Sequence, residues 1–231
     1  MSLIDKIFTD YPFYGSRRIR YELKQTYKLL IARDHVRRLL QLMGIEAIYP
    51  RAKPNTSQAN EQHLKYPYLL KGLPIIRSNQ VWGTDITYIK LETGYCYLVA
   101  FIDWFSRYVI SWKLSPTLEI PFCLTALENA LKIATPEISN TDQGSHFTSE
   151  QFLNPLLNKN VKISMDGRGR CMDNIFTERL WRTVKYENIF LKSYRTIDEA
   201  NLGLTEYFQF YNMKRPHQSL DYRTPSNVYF H

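Results

Sequence analysis

The chain has 231 residues, 44% of them hydrophobic and 23% charged, enough for one sizeable core plus a smaller accessory unit and the balance of a soluble globular protein. No apolar run approaches a bilayer span and the opening MSLIDKIFTD lacks the basic-then-apolar layout of a signal peptide, which excludes a membrane protein and predicts a cytoplasmic location. The formal net charge of +8 is uneven: residues 1–54 hold eleven Lys/Arg against five Asp/Glu and the remainder 19 against 17, a distribution that fits a polyanionic partner at the N-terminal end.

From Ser2 to Gly44 the pattern predicts three short helices. SLIDKIFTDY is broken by Pro12, SRRIRYELKQTY follows the turn at Gly15, and RDHVRRLLQLMG carries Val36, Leu39, Leu40 and Met43 on one face before Gly44 stops it. The last two form a helix-turn-helix candidate over residues 1–52, with Arg17, Arg18, Arg33, Arg37 and Arg38 as candidate DNA contacts. The alternative is a small helical bundle with a solvated arginine face. A polar stretch with Pro54 marks residues 53–73 as a linker.

A core over residues 74–195 follows. VWGTDITYIK, YCYLVAFIDW and YVISWKLS are β-branched and aromatic runs separated by tight turns, which predicts an antiparallel meander with the second run interior. LEIPFCLTALENALKIA has helical periodicity, and EISNTD reads as a short strand ending at Asp142. DNIFTERLWRTVKYE predicts a helix capped by Asp173, with Phe176, Leu180 and Val184 on its apolar stripe. At about 100° per residue, Arg182 and Lys185 fall within about 40° of Glu178 on the opposite face. Residues 196–231 open with a Thr196/Glu199 capping box and end in a Pro-punctuated tail that packs on the core. Strands followed by helices on a mixed sheet make this an α/β fold.

Three carboxylates stand out. Asp85 lies mid-strand in an apolar setting, Asp142 follows a strand, and Glu178 sits on the non-core face of a helix. An ionised carboxylate leaving a sheet needs a hydrogen-bonding loop, a partner or a metal ion. Three of them from three elements suit two divalent cations in phosphoryl displacement, and oxygen-only ligands select magnesium or manganese. Asp103 also ends a strand, but beside a tight turn where aspartate bonds backbone amides, so a structural role is expected. His146 and His217 read as loop residues. Cys96, Cys123 and Cys171 lack metal or disulfide spacing and read as buried thiols.

VWGTDITYI, NTDQGSHFTS and DNIFTERLWRTVKYE together resemble the signature segments of the bacterial insertion-sequence transposases whose catalytic frame has a retroviral-integrase-like core. YGSRRIRYEL and HVRRLLQLMGI are similar to that family's helix-turn-helix region, and YNMKRPHQSLDYRTP to its C-terminal segment. The resemblance implies an RNase H-like fold, Asp85, Asp142 and Glu178 as the catalytic and metal-binding triad with two Mg2+ or Mn2+ ions, and Lys185 near the DNA; the shared helix face adds Arg182 as a second DNA contact. It implies cleavage and strand transfer at element ends, double-stranded DNA as partner, a homo-oligomer on DNA, and an upstream-frame protein or fusion. Two other functions compete: a non-catalytic DNA-binding regulator or assembly factor, and an RNase H-type nuclease. Three intact acidic residues count against the first, and the basic N-terminal region against the second. A tyrosine recombinase is disfavoured, since none of the seventeen tyrosines sits in a context that suggests a covalent DNA adduct.

Overall fold

A computed structural model describes residues 1–47, 66–166 and 174–231. The Asp173 cap, Cys171 and most of the sequence-predicted linker lie outside the described residues. The chain divides into two compact units, Met1–Pro54 with Thr183–Lys192, and Asn55–Arg182 with Ser193–His231. Residues 183–192, which the sequence reading kept within 74–195, thus group with the N-terminal unit. No helix among the described residues is long and apolar enough to cross a membrane.

In the first unit, α1 (Ser2–Asp10), α2 (Ser16–Gln25) and α3 (Arg33–Leu42) enclose Ile4, Ile7, Tyr14, Ile19, Leu23, Val36 and Leu40. Gly44 ends α3 in left-handed backbone (φ 65°), and the N–H groups of Gly44 and Ile45 donate to the carbonyls of Gln41 and Leu40. That pair of bonds satisfies the last free carbonyls of the helix, for which glycine is suited.

The second unit is built on a five-stranded sheet of order β3-β2-β1-β4-β5. β1 (Val81–Leu91), β2 (Gly94–Asp103) and β3 (Val109–Ser115) form the expected antiparallel meander, while β4 (Ile138–Thr141) and β5 (Lys162–Met165) add parallel to β1. β2 is interior as expected, and β1 is the middle strand. α4 (Pro121–Ile133) and α5 (Glu150–Leu157) cover one face, closing a core with Trp82, Val99, Phe101 and Ile163.

α5 and β5 were not separated by the sequence pattern. α5 contains Pro155, a helix breaker in isolation, yet starts with a satisfied cap, Ser149 Oγ accepting from the Phe152 N–H. β5 has only four residues, too few for periodicity to register.

On the other face lie α6 (Ile175–Val184) and α8 (Ile197–Met213), the latter through Trp112 and Phe208, whose ring centroids are 5.1 Å apart. α6 does not run on as a regular α-helix: Lys185–Ile189 is a π-helical turn, followed by the short α7 (Phe190–Lys192). The extrapolation of about 100° per residue therefore stops at Val184. At α8, Thr196 Oγ1 accepts from the Glu199 N–H, but the Glu199 carboxylate accepts from the Arg195 N–H, one residue earlier than a reciprocal box requires.

The tail ends in α9 (Pro225–Phe230) and is fastened to the core. The Tyr229 hydroxyl donates to Asn79 Oδ1 at 2.7 Å, and Tyr229 stacks on Tyr108. His217 is buried, and its Nε2 lies 3.0 Å from Arg215 Nη1.

Candidate active site

β1 and β4 pair in parallel with Gly83 opposite Asn140, so two residues further on Asp85 and Asp142 stand at the same level of the sheet. β4 and β5 match Thr141 with Met165, which brings Asp166 to that level on the next strand. Three carboxylates thus stand at one level of adjacent strands, Asp85 within β1 and Asp142 and Asp166 just past the carboxyl ends of β4 and β5, and the third, Asp166, had no signal in the sequence because its strand had none. It is tied down: Asn140 Nδ2 donates to Asp166 Oδ1 at 2.8 Å and Gln143 Nε2 to its carbonyl at 2.8 Å.

Asp85 and Asp142 line one cleft of about 220 Å3 with Ile86, Tyr88, Leu118 and His146. Trp181 Nε1 donates to Asp85 Oδ2 at 2.9 Å, and the Ile86 N–H donates to Oδ1 at 2.8 Å. Burial nevertheless raises the Asp85 carboxyl to about 7, the charge of Asp142 adds to the rise, Trp181 and Ile86 oppose it, and Asp166 adds a smaller increment. Asp142 is exposed at the cleft mouth, but enough protein surrounds it for burial to raise its carboxyl, against the Gly144 N–H and the charge of His146.

The backbone around both carboxylates is shaped by glycine. Gly144 donates its N–H to Asp142 Oδ1 at 2.9 Å, and a Cβ there would stand 2.9 Å from the same oxygen. A Cβ on Gly83 would come within 2.3 Å of Trp104 Nε1 and 2.8 Å of Thr177 Oγ1. The bare strand lets α6 seat directly on β1. Thr177 meets Gly83 and Trp181 meets Asp85: four helical residues rise about 6 Å, close to the roughly 6.6–6.8 Å between alternate strand residues. Trp181, which sequence reasoning placed in no role, thereby orients a candidate catalytic carboxylate.

Glu178 lies on α6 between those two contacts. It is exposed, and partial burial raises its carboxyl. The cleft lining contains Asp85 and Asp142 but not Glu178, and among the described residues no group of three or more His, Cys, Asp or Glu side chains is poised to hold a metal ion. Arg182 is exposed and Lys185, at the start of the π-turn, is half-buried. Arg17, Arg33, Arg37 and Arg38 are exposed, whereas Arg18 Nη1 pairs with Glu187 Oε1 at 2.9 Å within the N-terminal unit.

Asp103 has the structural role expected of it. Its oxygens accept from the Asn79 N–H, the Ser106 N–H and the Ser106 hydroxyl, and its register partner is Trp82, three residues before Asp85. His146 Nε2 lies 2.9 Å from the Leu118 carbonyl and faces the cleft, closer to the chemistry than its loop position suggested. Cys96 and Cys123 are free and buried, and burial pushes their thiols up to about 11 and about 12.

Residues 1–53 match an HTH-like domain, and residues 76–171 and 159–225 match two integrase core domain models. The transposase for insertion sequence element IS904 of Lactococcus lactis subsp. lactis (strain IL1403) is 31% identical over 219 residues, covering 93% of this chain and 86% of that protein. The chain belongs to the insertion-sequence transposases. The transposase is also 30% identical to the putative transposase InsK for IS150 of Escherichia coli (strain K12), over 92% of this chain and 76% of the relative. Its fold matches the integrase catalytic core domain of HTLV-2, solved in complex with magnesium: TM-score 0.54, 18% identity, 68% of this chain and 99% of that one. The simian T-cell lymphotropic virus intasome chain aligns with TM-score 0.55 and 18% identity over 68% of the transposase and 58% of its own length. The mixed sheet flanked by helices is therefore the RNase H-like integrase core, preceded by a helix-turn-helix-like region.

Proposed function

We propose that this transposase cleaves DNA at the ends of an insertion sequence and joins the freed 3′ hydroxyl to a second phosphodiester, with Asp85, Asp142 and Glu178 as its catalytic carboxylates. The observation that carries this is the pairing of Asp85 and Asp142 in one cleft, close enough for the charge of one to raise the other.

Two carboxylates that repel each other at a cleft mouth fit a divalent cation, and their all-oxygen character suits magnesium or manganese. Asp85 and Asp142 would hold the ion or ion pair, with Glu178 completing the donor set. When bound, two such cations would supply activation of the attacking oxygen and neutralisation of the leaving one. The chain's own work is positional. Trp181 and the Ile86 N–H fix the Asp85 carboxylate, and Gly144 holds Asp142 while leaving room for substrate. Lys185 and Arg182 would bind phosphates beside the scissile bond. The exposed arginines Arg17, Arg33, Arg37 and Arg38 would bind the duplex further off, with Arg18 supporting that surface from its ion pair. Element ends and target DNA are the proposed partners, engaged by a homo-oligomer together with an upstream-frame product.

The test is magnesium-dependent nicking and strand transfer on a duplex carrying the element end. Asp85→Asn, Asp142→Asn and Glu178→Gln should each abolish both steps while the proteins stay folded. Full activity of Asp85→Asn would refute the assignment, and full activity of Glu178→Gln would confine the donor set to the two aspartates.

A further inference from the structure

The turn between β2 and β3 carries Arg107 in left-handed backbone (φ 64°), an uncommon conformation for a residue with a Cβ and one that recurs at functional sites. The turn lays the Arg107 guanidinium over the Phe176 ring on the first turn of α6, with Cζ 3.6 Å from the ring centroid. Stacking satisfies the flat face of the cation but not its in-plane donor Nη1. Nη1 is buried and has no hydrogen-bond partner among the described residues. Asp103, the carboxylate whose charge acts on Arg107, is already engaged by the Asn79 and Ser106 N–H groups and the Ser106 hydroxyl. Burial lowers Arg107 to about 10, the charges of Tyr211 and Asp103 oppose this, and Arg179 adds to the lowering from nearby. A buried cation short of a partner is costly unless something arrives to complete it.

Beside Arg107 opens a cavity of about 370 Å3, walled by Trp104 and Phe176 and, from the C-terminal tail, by Ser219, Asp221 and Arg223. That volume lies near the lower end of small-ligand sites, about 300–1,000 Å3, and exceeds what a lone phosphate needs. Two arginines, Arg107 and Arg223, line it against the single carboxylate Asp221, and the charge of Arg179 reaches Arg107. A stacked guanidinium with a free in-plane donor suits phosphate better than a lysine would, because its fork is planar and pre-set.

We infer that this cavity is a phosphodiester-binding site that grips the DNA backbone, with Arg107 as its inner donor and Ser219 and Arg223 at its mouth. The inference rests on the proposed action on DNA and adds a second anchoring point to it. Trp104 follows Asp103, which is in register with Trp82, three residues before Asp85. The cavity is thus about 10 Å along β1 from the carboxylates, or roughly three nucleotides of one strand at about 3.4 Å each.

Two variants test it in the full chain. Arg107→Gln removes the inner cation, and Ser219→Glu puts a carboxylate at an exposed lining position. Each is checked for folding by circular dichroism, then titrated against a labelled duplex oligonucleotide between about 50 and 200 mM salt. Both should bind about ten- to a hundredfold more weakly, and for Arg107→Gln the slope of log affinity against log salt should fall by about 0.9, one phosphate contact. A folded Ser219→Glu protein with wild-type affinity and slope overturns the inference. So does a variant that keeps DNA affinity but loses self-association in sedimentation, since the cavity would then hold a protein carboxylate. Magnesium-dependent cleavage by the unaltered chain separates the two levels: cleavage with no effect of the variants removes the cavity alone, and weakened binding by the variants without any cleavage removes the catalytic assignment alone.

Discussion

Asp85→Asn has a stability consequence that is independent of catalysis. The folded protein raises this carboxyl from 3.8 to about 7. The folded state therefore binds a proton that the unfolded chain releases, and the associated stability is fully present below about pH 4 and lost as pH rises through about 7. At about 1.4 kcal/mol per pH unit the full shift corresponds to about 4 kcal/mol, and partial solvent access and relaxation reduce the realised value to about 2 kcal/mol. Asparagine removes the ionisation but offers only one oxygen to the two donors, Trp181 Nε1 and the Ile86 N–H, which returns about 1 kcal/mol. In chelator at about pH 8, Asp85→Asn should thus be more stable than the wild type by about 1 kcal/mol, and near pH 4, where only the lost acceptor counts, less stable by about 1 kcal/mol. Urea unfolding of both proteins across this range measures it. Asp103 and Glu178, also raised by burial, are common to both proteins and cancel in the difference, whereas Asp142 loses the repulsion of Asp85 in the variant, which adds to the variant's advantage at high pH. A difference that stays constant with pH, or a variant less stable at pH 8, refutes the reasoning. Added magnesium should stabilise the wild type at pH 8 and leave Asp85→Asn unchanged.

Gly83→Ala forces a methyl against Trp104 and Thr177 and should cost about 1–3 kcal/mol by urea midpoint; an unchanged midpoint would mean α6 is not seated on β1. Trp181→Phe removes a donor to Asp85, so its carboxyl should titrate higher still, as followed by NMR, and a fixed or lowered value would deny the contact. Replacing Arg33, Arg37 and Arg38 with glutamine in the full chain should flatten the salt dependence of duplex binding by up to about 2.7 in slope, whereas an unchanged slope would leave them a solvated face. Lys185→Ala should weaken end binding and strand transfer while Lys185→Arg retains most of both; intact affinity in the alanine variant would remove Lys185 from the interface.

The sequence by itself determined the elements whose periodicity is long or whose punctuation is strong. The meander was legible because β1, β2 and β3 are long β-branched and aromatic runs split by tight turns, and α1 to α3 because Pro12, Gly15 and Gly44 bracket them. The family motifs carried Asp85, Asp142 and Glu178, since residue type and order survive in a linear string. Tertiary structure alone decided what depends on pairing and close approach. The parallel register of β1 with β4 puts Asp85 level with Asp142, and β5, too short to show a period, brings Asp166 to the same level. The seating of α6 on Gly83 and the Trp181 bond to Asp85 arise from contacts between segments up to 96 residues apart. Side-chain pattern encodes which face of an element is apolar. It does not encode which partner that face meets or how burial shifts a charge, because both depend on the low-dielectric surroundings that form only when the sheet and its helices close.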